Sequence, residues 1–455
     1  MSVTVERARS RMSARRSIVV AVACVAAILA MAALFQRYEL GGLALDRDAI
    51  RSWLEGDGLY AYRDEVTRLG AAMPPATAFL LVPAAFLPLG LAGWLAAVAG
   101  VTALALALYA LVGPVARRYG RRRATVVLAA ILLALAVEPV RATLGLGKLD
   151  LILFGLITAD IVALRRGAWA RSRAAWWPGR PASAPPRGRP IRHLLRNVWA
   201  TGAWAGAGIG LATALAVGPA LFIAYLAATR QWRAALTASG TALTLAVGAL
   251  LAAPRETAAW FSEVLWRLDR TGGVDQVGNQ SLAGVLARLY DSATTPLLLW
   301  LSFALLLLAV GFIRARSAHA EGDEISAFTI IGLTGAAVGP VTGTHELIWV
   351  LPAVLILIDA AARTRMAARR PPPGRGHRGA GYAISAVLAY LLFVSAPVWT
   401  GTGVLASNSY ALALILLVNA LPWRHGAAPA FPINRWVRRR SGARPIPSAR
   451  RPTGS

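Results

Sequence analysis

Asp46 and Asp48 stand two residues apart in a stretch, positions 36–75, that holds seven of the 21 acidic residues of this 455-residue chain. Glu39, Glu55, Asp57, Asp64 and Glu65 are the others, and the sequence around the stretch is mostly Ala, Leu, Val and Arg. A carboxylate in such surroundings can act as a general base, taking the proton of a substrate hydroxyl as its oxygen turns nucleophile. It can equally do no more than cap a helix by accepting from free first-turn N–H groups. Asp46 fits either role, and Asp48 is the alternative base.

Three further groups invite a chemical reading. Glu138-Pro139-Val140-Arg141 is followed by Lys148 and Asp150. Charges at a membrane edge must pair or line a wet cavity. Either Glu138 pairs with Arg141 and Lys148 with Asp150, or Arg141 and Lys148 hold an anionic group such as a phosphate. His345 and Glu346 follow the tight turn from Gly339 to Thr344, while His193, His319, His377 and His425 fall in loops on the opposite, arginine-rich side. With no second histidine on its side, His345 is not expected to bind a metal. Asn279-Gln280-Ser281-Leu282 opens an amphipathic stretch through Val285, Leu286 and Leu289. It reads as a polar tip capping a helix or as a substrate contact.

The elements that must hold these groups together cross a bilayer. The chain is 57% hydrophobic and 15% charged, with mean hydropathy +0.55, whereas a soluble domain is about half apolar and a quarter charged. Apolar runs of about 18–25 residues recur, long enough to span a bilayer as helices. Spans are predicted at 17–35, 89–113, 124–138, 147–164, 233–253, 294–313, 326–342, 346–362, 380–398 and 403–421. Pro83 and Pro88 break 76–88 into a short helix dipping into the membrane. The stretch 201–229, with Gly206, Gly208, Gly210, Gly218 and Pro219, reads as two short helices folded as a hairpin. After the first span, Ala49, Ile50, Trp53 and Leu54 fall at helical spacing opposite Arg47, Arg51, Ser52 and Glu55. That pattern predicts a helix lying in the interface plane, with Asp46 at or near its N-terminus.

The formal net charge of +27 is clustered between spans: Arg117, Arg118 and Arg121–Arg123; nine Arg within 165–196; Arg363, Arg365, Arg369 and Arg370; Arg435 to Arg440. Short basic loops mark the cytoplasmic side and attract anionic lipid headgroups, which accounts for the charge without nucleic acid. The scheme places every arginine cluster and both termini on that side and sends 15 of the 21 acidic residues to the other. It divides the chain into a basic N-terminus (1–16), a transmembrane domain (17–422) and a basic disordered tail (423–455). Extracytoplasmic loops occupy 36–75 and 254–293, and a basic cytoplasmic linker occupies 167–199. Trp260 and Trp266 suit a headgroup-level aromatic belt. Cys24 is the single cysteine, inside the first span, so no internal disulfide is expected. Arg7 to Arg16 before an apolar stretch resembles a signal peptide, but a run of 19 residues followed by further spans is expected to stay as a first helix.

Several segments recur in a familiar order: Asp46 with Ala49-Ile50 and Trp53; Gly56 and Leu59-Tyr60-Ala61-Tyr62; Met73-Pro74-Pro75; Glu138-Pro139-Val140-Arg141, Thr143-Leu144-Gly145 and Gly147. Gly208-Ile209-Gly210-Leu211 with Pro219, Arg230-Gln231-Trp232-Arg233, Asn279-Gln280-Ser281-Leu282, and Pro340 through His345 to Trp349 and Pro352 continue it. From about residue 17 to 422 the chain resembles the polyprenyl-phosphate-mannose-dependent α-(1→2)-mannosyltransferases of glycosyltransferase family 87, actinobacterial membrane enzymes of the GT-C fold. It departs from that family's pattern at Lys148 and Asp150 (usually Gln and Asn), Ala216 (Lys), Glu346 (the second of a His pair), Gly339 (Ser) and Met73 (an aromatic).

The resemblance implies an all-α, GT-C-like bundle of roughly 10–13 transmembrane or re-entrant helices, with interfacial helices in the first extracytoplasmic loop. It implies an inverting hexosyltransfer, of mannose first among sugars, from a polyprenyl-phosphate donor to a glycolipid or glycan acceptor outside the cytoplasm. Asp46 would be the base, with Arg141, Lys148 and His345 on the donor phosphate. Glu138, Asp150, Asn279, Gln280, Glu346 and Tyr60 would contact substrate. No cofactor is implied; membrane lipids are the remaining partners. The competing reading is a polytopic transporter or lipid flippase, in which broken helices meet at mid-depth, and a third is a membrane scaffold. The chain shows no internal repeat, and its polar residues collect at one membrane face.

Overall fold

A computed structural model describes residues 21–176, 198–267, 270, 272–292, 294–368 and 376–425. The expected basic N-terminus at 1–16, most of the arginine-rich linker and the tail from 426 lie outside the described residues. Among them there is no strand, and only an isolated bridge joins Arg63 to Gly70.

The helices are α1 (Ala21–Tyr38), α2 (Gly41–Glu55), α3 (Pro75–Ala85), α4 (Leu89–Arg118), α5 (Arg123–Leu135), α6 (Glu138–Leu146) and α7 (Asp150–Trp176). Then follow α8 (Ala207–Leu215), α9 (Ala220–Ala228), α10 (Trp232–Ala252), α11 (Pro254–Ser262), α12 (Leu282–Leu289), α13 (Leu297–Ala320) and α14 (Glu324–Val338). A 3-10 segment, Thr344–Trp349, leads into α15 (Val350–Ala368), with α16 (Gly376–Ser395) and α17 (Ser409–Ala420) last.

Ala21–Tyr38, Leu89–Arg118, Trp232–Ala252, Leu297–Ala320 and Thr344–Met366 are each long and apolar enough to cross a membrane, and α5 with α6, bent by 70°, forms a broken span or a re-entrant pair. The shorter apolar helices α3, α14, α16 and α17, with α7 and the α8–α9 pair, complete the polytopic bundle. The α5–α6 bend has a local cause. Pro139 is the second residue of α6, where the N–H it lacks has no place in the α5 ladder, and Val137 before the helix takes extended backbone angles (φ −78, ψ 134). Glu138 therefore opens a separate helix; it does not end the span predicted at 124–138.

Other boundaries differ similarly. Pro83 sits inside α3, which runs on to Ala85, and Pro88 caps the start of α4. The span predicted at 403–421 divides into a short turn of helix, Val404–Ser407, and the 12-residue α17. The expected hairpin at 201–229 is present as α8 and α9. Gly206 and Gly210 bring α8 so close to α10 that a Cβ at either would strike the Ala234 and Ala238 carbonyls. Thr77 Oγ1 of α3 donates to Leu215 O at the hairpin tip, at 2.6 Å.

One core runs through the bundle, with Phe154, Phe222, Tyr225, Phe328 and Trp349 packed ring against ring at about 5 Å. A second, smaller core joins the two loop regions through Ile50, Leu59, Tyr60, Met73, Trp260 and Val264. Arg270 Nε donates to Ala71 O at 3.0 Å across the same seam. The predicted aromatic-belt role of Trp260 is therefore replaced by core packing, whereas Trp266 stays 73% exposed. The long helices give the bundle two chemically distinct ends. α4, about 45 Å long at 1.5 Å per residue, runs from Gly93, packed on Leu40, to Arg117 and Arg118. α7 runs from Asp150 to Arg165 and Arg166, and the 3-10 segment with α15 runs from Glu346 to Arg363.

Candidate active site

The corner between α1 and α2 aims Asp46. Glu39 and Leu40 take left-handed backbone angles (φ 55 and 52), turning the chain sharply, and Leu40 N donates to Gly145 O at 3.1 Å. Farther along α2, Arg47 Nη2 donates to Leu87 O and Arg51 Nε to Ala85 O, both at 2.8 Å. These bonds satisfy carbonyls that the end of α3 leaves open. Ala49 and Ile50 are buried as predicted, but Leu54 is 49% exposed. The helix starts at Gly41 with Leu40 as its N-cap. Asp46 thus lies in the second turn, where it cannot cap the helix, which corrects the expected placement at the N-terminus.

Lys148 reaches Asp46 from a neighbouring turn. Gly147 ends α6 with φ 71, a conformation that costs a side-chain-bearing residue about 1–2 kcal/mol. Gly42, one helical turn before Asp46, leaves room for the lysine stem: a Cβ there would strike Lys148 Cε. Lys148 Nζ ends 3.0 Å from Asp46 Oδ2, with the two side chains 28% and 14% exposed. The expected Lys148–Asp150 pair is replaced by this one. Burial pulls the Lys148 ammonium down, but Asp46, Asp150 and Glu346 together more than offset it, leaving the group above its ordinary value.

Asp150 opens α7 and faces the 3-10 segment. His345 Nε2 lies 3.9 Å from Asp150 Oδ2 and 3.8 Å from Glu346 Oε1, while Thr143 Oγ1 donates to His345 O at 3.1 Å. Three carboxylates, one ammonium and one imidazole thus meet where α2, the α6–α7 turn and the 3-10 segment converge. All five side chains keep some exposure. The arrangement can take a proton from a hydroxyl and offer positive charge to an anion.

The remaining sequence candidates make their contacts away from this cluster. Glu138 is fully buried, 3.1 Å from Arg141 Nη2, and accepts from Tyr38 OH at 2.6 Å. Arg141 Nη2 also donates to Val394 O at 3.0 Å. Asn279 Oδ1 accepts from Thr342 N at 3.0 Å, and its Nδ2 donates to Val274 O and Pro340 O. Gln280 Nε2 donates to Val277 O and Ser407 O, both at 2.7 Å, and its Oε1 accepts from Ala411 N. These two amides staple three backbone segments. Tyr60 OH donates to Met73 O at 2.9 Å inside the smaller core. Asp48 is 42% exposed and lies 3.5 Å from Arg47. Asp64 shapes a turn by accepting from Thr67 N and Oγ1, each at 2.7 Å. Tyr38 and Gly42 were not among the sequence candidates. The Gly41-Gly42 pair four residues before Asp46 was the available signal for the second; nothing local marked the first.

The model of glycosyltransferase family 87 matches residues 73–340. A polyprenol-phosphate-mannose-dependent alpha-(1-2)-phosphatidylinositol mannoside mannosyltransferase of Mycolicibacterium smegmatis is 28% identical over 357 residues, covering 72% of this chain and 70% of that protein. Its namesake in Mycobacterium tuberculosis is 27% identical over 48% of this chain and 43% of its own length. A polyprenol-phosphate-mannose-dependent alpha-(1-2)-phosphatidylinositol pentamannoside mannosyltransferase of Mycobacterium tuberculosis is 27% identical over 68% of this chain and 64% of its own length. Among solved structures, ArnT from Cupriavidus metallidurans bound to undecaprenyl phosphate aligns over 91% of this chain and 78% of that one. The identity is 13% and the TM-score 0.37, a likeness too slight to carry weight.

Proposed function

The chain belongs to glycosyltransferase family 87, and from that premise we propose that it transfers mannose from a polyprenyl-phosphate carrier to a hydroxyl of a cell-envelope glycolipid or glycan. The reaction takes place at the extracytoplasmic membrane face, with both termini in the cytoplasm. Three relatives with mannosyltransferase names support the donor and the sugar. The observation that carries the chemistry is the half-open pair of Asp46 and Lys148 at 3.0 Å.

Asp46 takes the proton of the acceptor hydroxyl. The oxygen attacks the anomeric carbon from the face opposite the phosphate; the new C–O bond forms as the bond to the phosphate oxygen breaks, and configuration inverts. Proton transfer cancels the Asp46 charge, which frees the Lys148 ammonium to meet the charge growing on the departing polyprenyl phosphate. His345, 3.9 Å from Asp150, offers a second donor to that phosphate. Asp150 and Glu346 face the space where acceptor hydroxyls arrive. Asp46→Asn in membranes supplied with labelled polyprenyl-phosphate-mannose is expected to abolish transfer while the protein still inserts. Full transfer by this variant would remove Asp46 as the base; an intact substrate moved across the membrane with no glycosidic product would replace the reading with transport.

A further inference from the structure

A cavity of about 1790 Å³ opens at the arginine end of the bundle, far along α4, α7 and α15 from Asp46. That exceeds the roughly 300–1,000 Å³ of a pocket for a drug-sized ligand. Its wall has two zones. Ala103, Leu106, Ala110 and Gly155 line an apolar cleft along α4 and α7, which meet closely at Ala103 and Gly155. Arg117, Arg118, Arg121, Arg165, Arg230 and Arg233 ring the mouth.

The acidic groups at this mouth are already engaged. Asp359 is held by Arg363 Nε at 2.9 Å and Arg424 Nη2 at 2.6 Å, and Tyr119 OH donates to it at 3.0 Å. Glu324 meets His319 Nδ1 at 2.7 Å and Tyr225 OH at 3.1 Å. Asp323 accepts from Ser326 and from Arg424 N. Arg117, Arg118, Arg121, Arg230 and Arg233 are left with no side-chain hydrogen bond or ion pair to another described residue, and Arg165 feels Asp323 and Glu324 without a direct hydrogen bond to either. Beside them Trp199 stacks on Trp204 at 5.3 Å, with Arg166 over Trp199 at 4.4 Å. Trp204 Nε1 is buried with no acceptor.

We propose that this cavity binds one acidic phospholipid, its phosphate among the mouth arginines and its acyl chains in the apolar cleft along α4 and α7. Guanidinium forks match phosphate oxygens, and Trp204 Nε1 supplies a further donor at headgroup depth. A small aqueous anion would leave the apolar zone empty, whereas a lipid fills both zones. The chain's own neighbouring segments have the wrong sign: 177–197 and 426–455 carry many arginines and no acidic residue. The site does not depend on the glycosyl-transfer reading, and its test needs no activity.

The purified full-length protein, released from micelles doped with phosphatidylglycerol and phosphatidylcholine, is examined by native mass spectrometry. One phosphatidylglycerol per chain is expected to be retained, and phosphatidylcholine is not. Arg118→Gln with Arg165→Gln and Arg233→Gln should cut that occupancy about tenfold or more. Arg122→Gln with Arg316→Gln and Arg365→Gln removes the same charge from exposed positions off the cavity and should leave occupancy unchanged. Ala110→Trp, which fills the cleft without touching charge, should also empty the site, and it decides the matter if the mouth variant does not fold. Equal losses in the two arginine variants, or retention of phosphatidylcholine, would reduce the site to diffuse surface charge and overturn the proposal. Displacement of phosphatidylglycerol by equimolar undecaprenyl phosphate, or by inorganic phosphate alone, would overturn the choice of ligand.

Discussion

Two ion pairs in this protein look alike in sequence and differ in what surrounds them. Glu138 and Arg141 sit 3.1 Å apart with the carboxylate fully buried and a tyrosine hydroxyl on it. Asp46 and Lys148 sit 3.0 Å apart with both side chains still partly exposed. The first pair is closed: its carboxylate has no path to a substrate proton, and its contacts tie α1, α6 and the end of α16 together. The second is held just as firmly but remains reachable. Accessibility, and not charge or spacing, separates a fastening from a reactive group.

The sharpest way to break the comparison is to remove each carboxylate in turn. Asp46→Asn should lower sugar transfer at least about 100-fold, the lower range for loss of a general base, with thermal stability in detergent nearly unchanged. Glu138→Gln should do the reverse. It weakens what the buried carboxylate offers to Tyr38 and to the partly exposed Arg141, a loss of about 1–3 kcal/mol read as lowered thermal or denaturant stability, while transfer per folded molecule persists. If Glu138→Gln stops transfer in well-folded protein, the two pairs are not distinct in kind.

Smaller effects sharpen the picture. Lys148→Met should reduce kcat about tenfold or more by removing charge from the leaving phosphate. Gly42→Ala should act in the same direction, because the added methyl displaces the lysine stem and comes within 2.9 Å of Leu146 O; Gly41→Ala, with open space around it, should not. Lys148 is raised above its ordinary value of about 10.4, burial being outweighed by Asp46, Asp150 and Glu346 together. Its stabilising charge is complete below that unfolded value and is lost only as pH climbs through the higher folded one. Wild type and Lys148→Met should therefore show the same pH dependence between about pH 6 and 9; a limb present in the wild type alone would contradict that charge state. Asp48→Asn, at an exposed side chain, should change transfer less than about twofold.

Much of the fold was legible because a bilayer imposes simple rules. Helix length and apolar content reveal α4, α10 and α13 directly, and the glycines at 206 and 210 reveal that 201–229 cannot be one smooth span. The bend at Pro139 and the division of 403–421 were hidden, since hydropathy averages over the break that a proline or a turn introduces. In the site, residue types marked Asp46, Lys148, Asp150, His345 and Glu346, but partnership was misassigned. Lys148 and Asp150 are neighbours in the chain, yet Gly147 turns the lysine back across Gly42 toward Asp46. The backbone partners of Asn279, Gln280 and Tyr60, at Thr342, Ser407 and Met73, were likewise not marked by anything local in the sequence.

Composition and periodicity by themselves determined a polytopic helical membrane protein, with acidic residues gathered at one end and arginines at the other, because those features follow from local transfer energies that each segment carries alone. Only the tertiary structure decided which charges meet, which are sealed and which stay open. Those outcomes depend on helix ends that converge from positions as far apart as 46, 148 and 345, and no local preference encodes a contact across that separation.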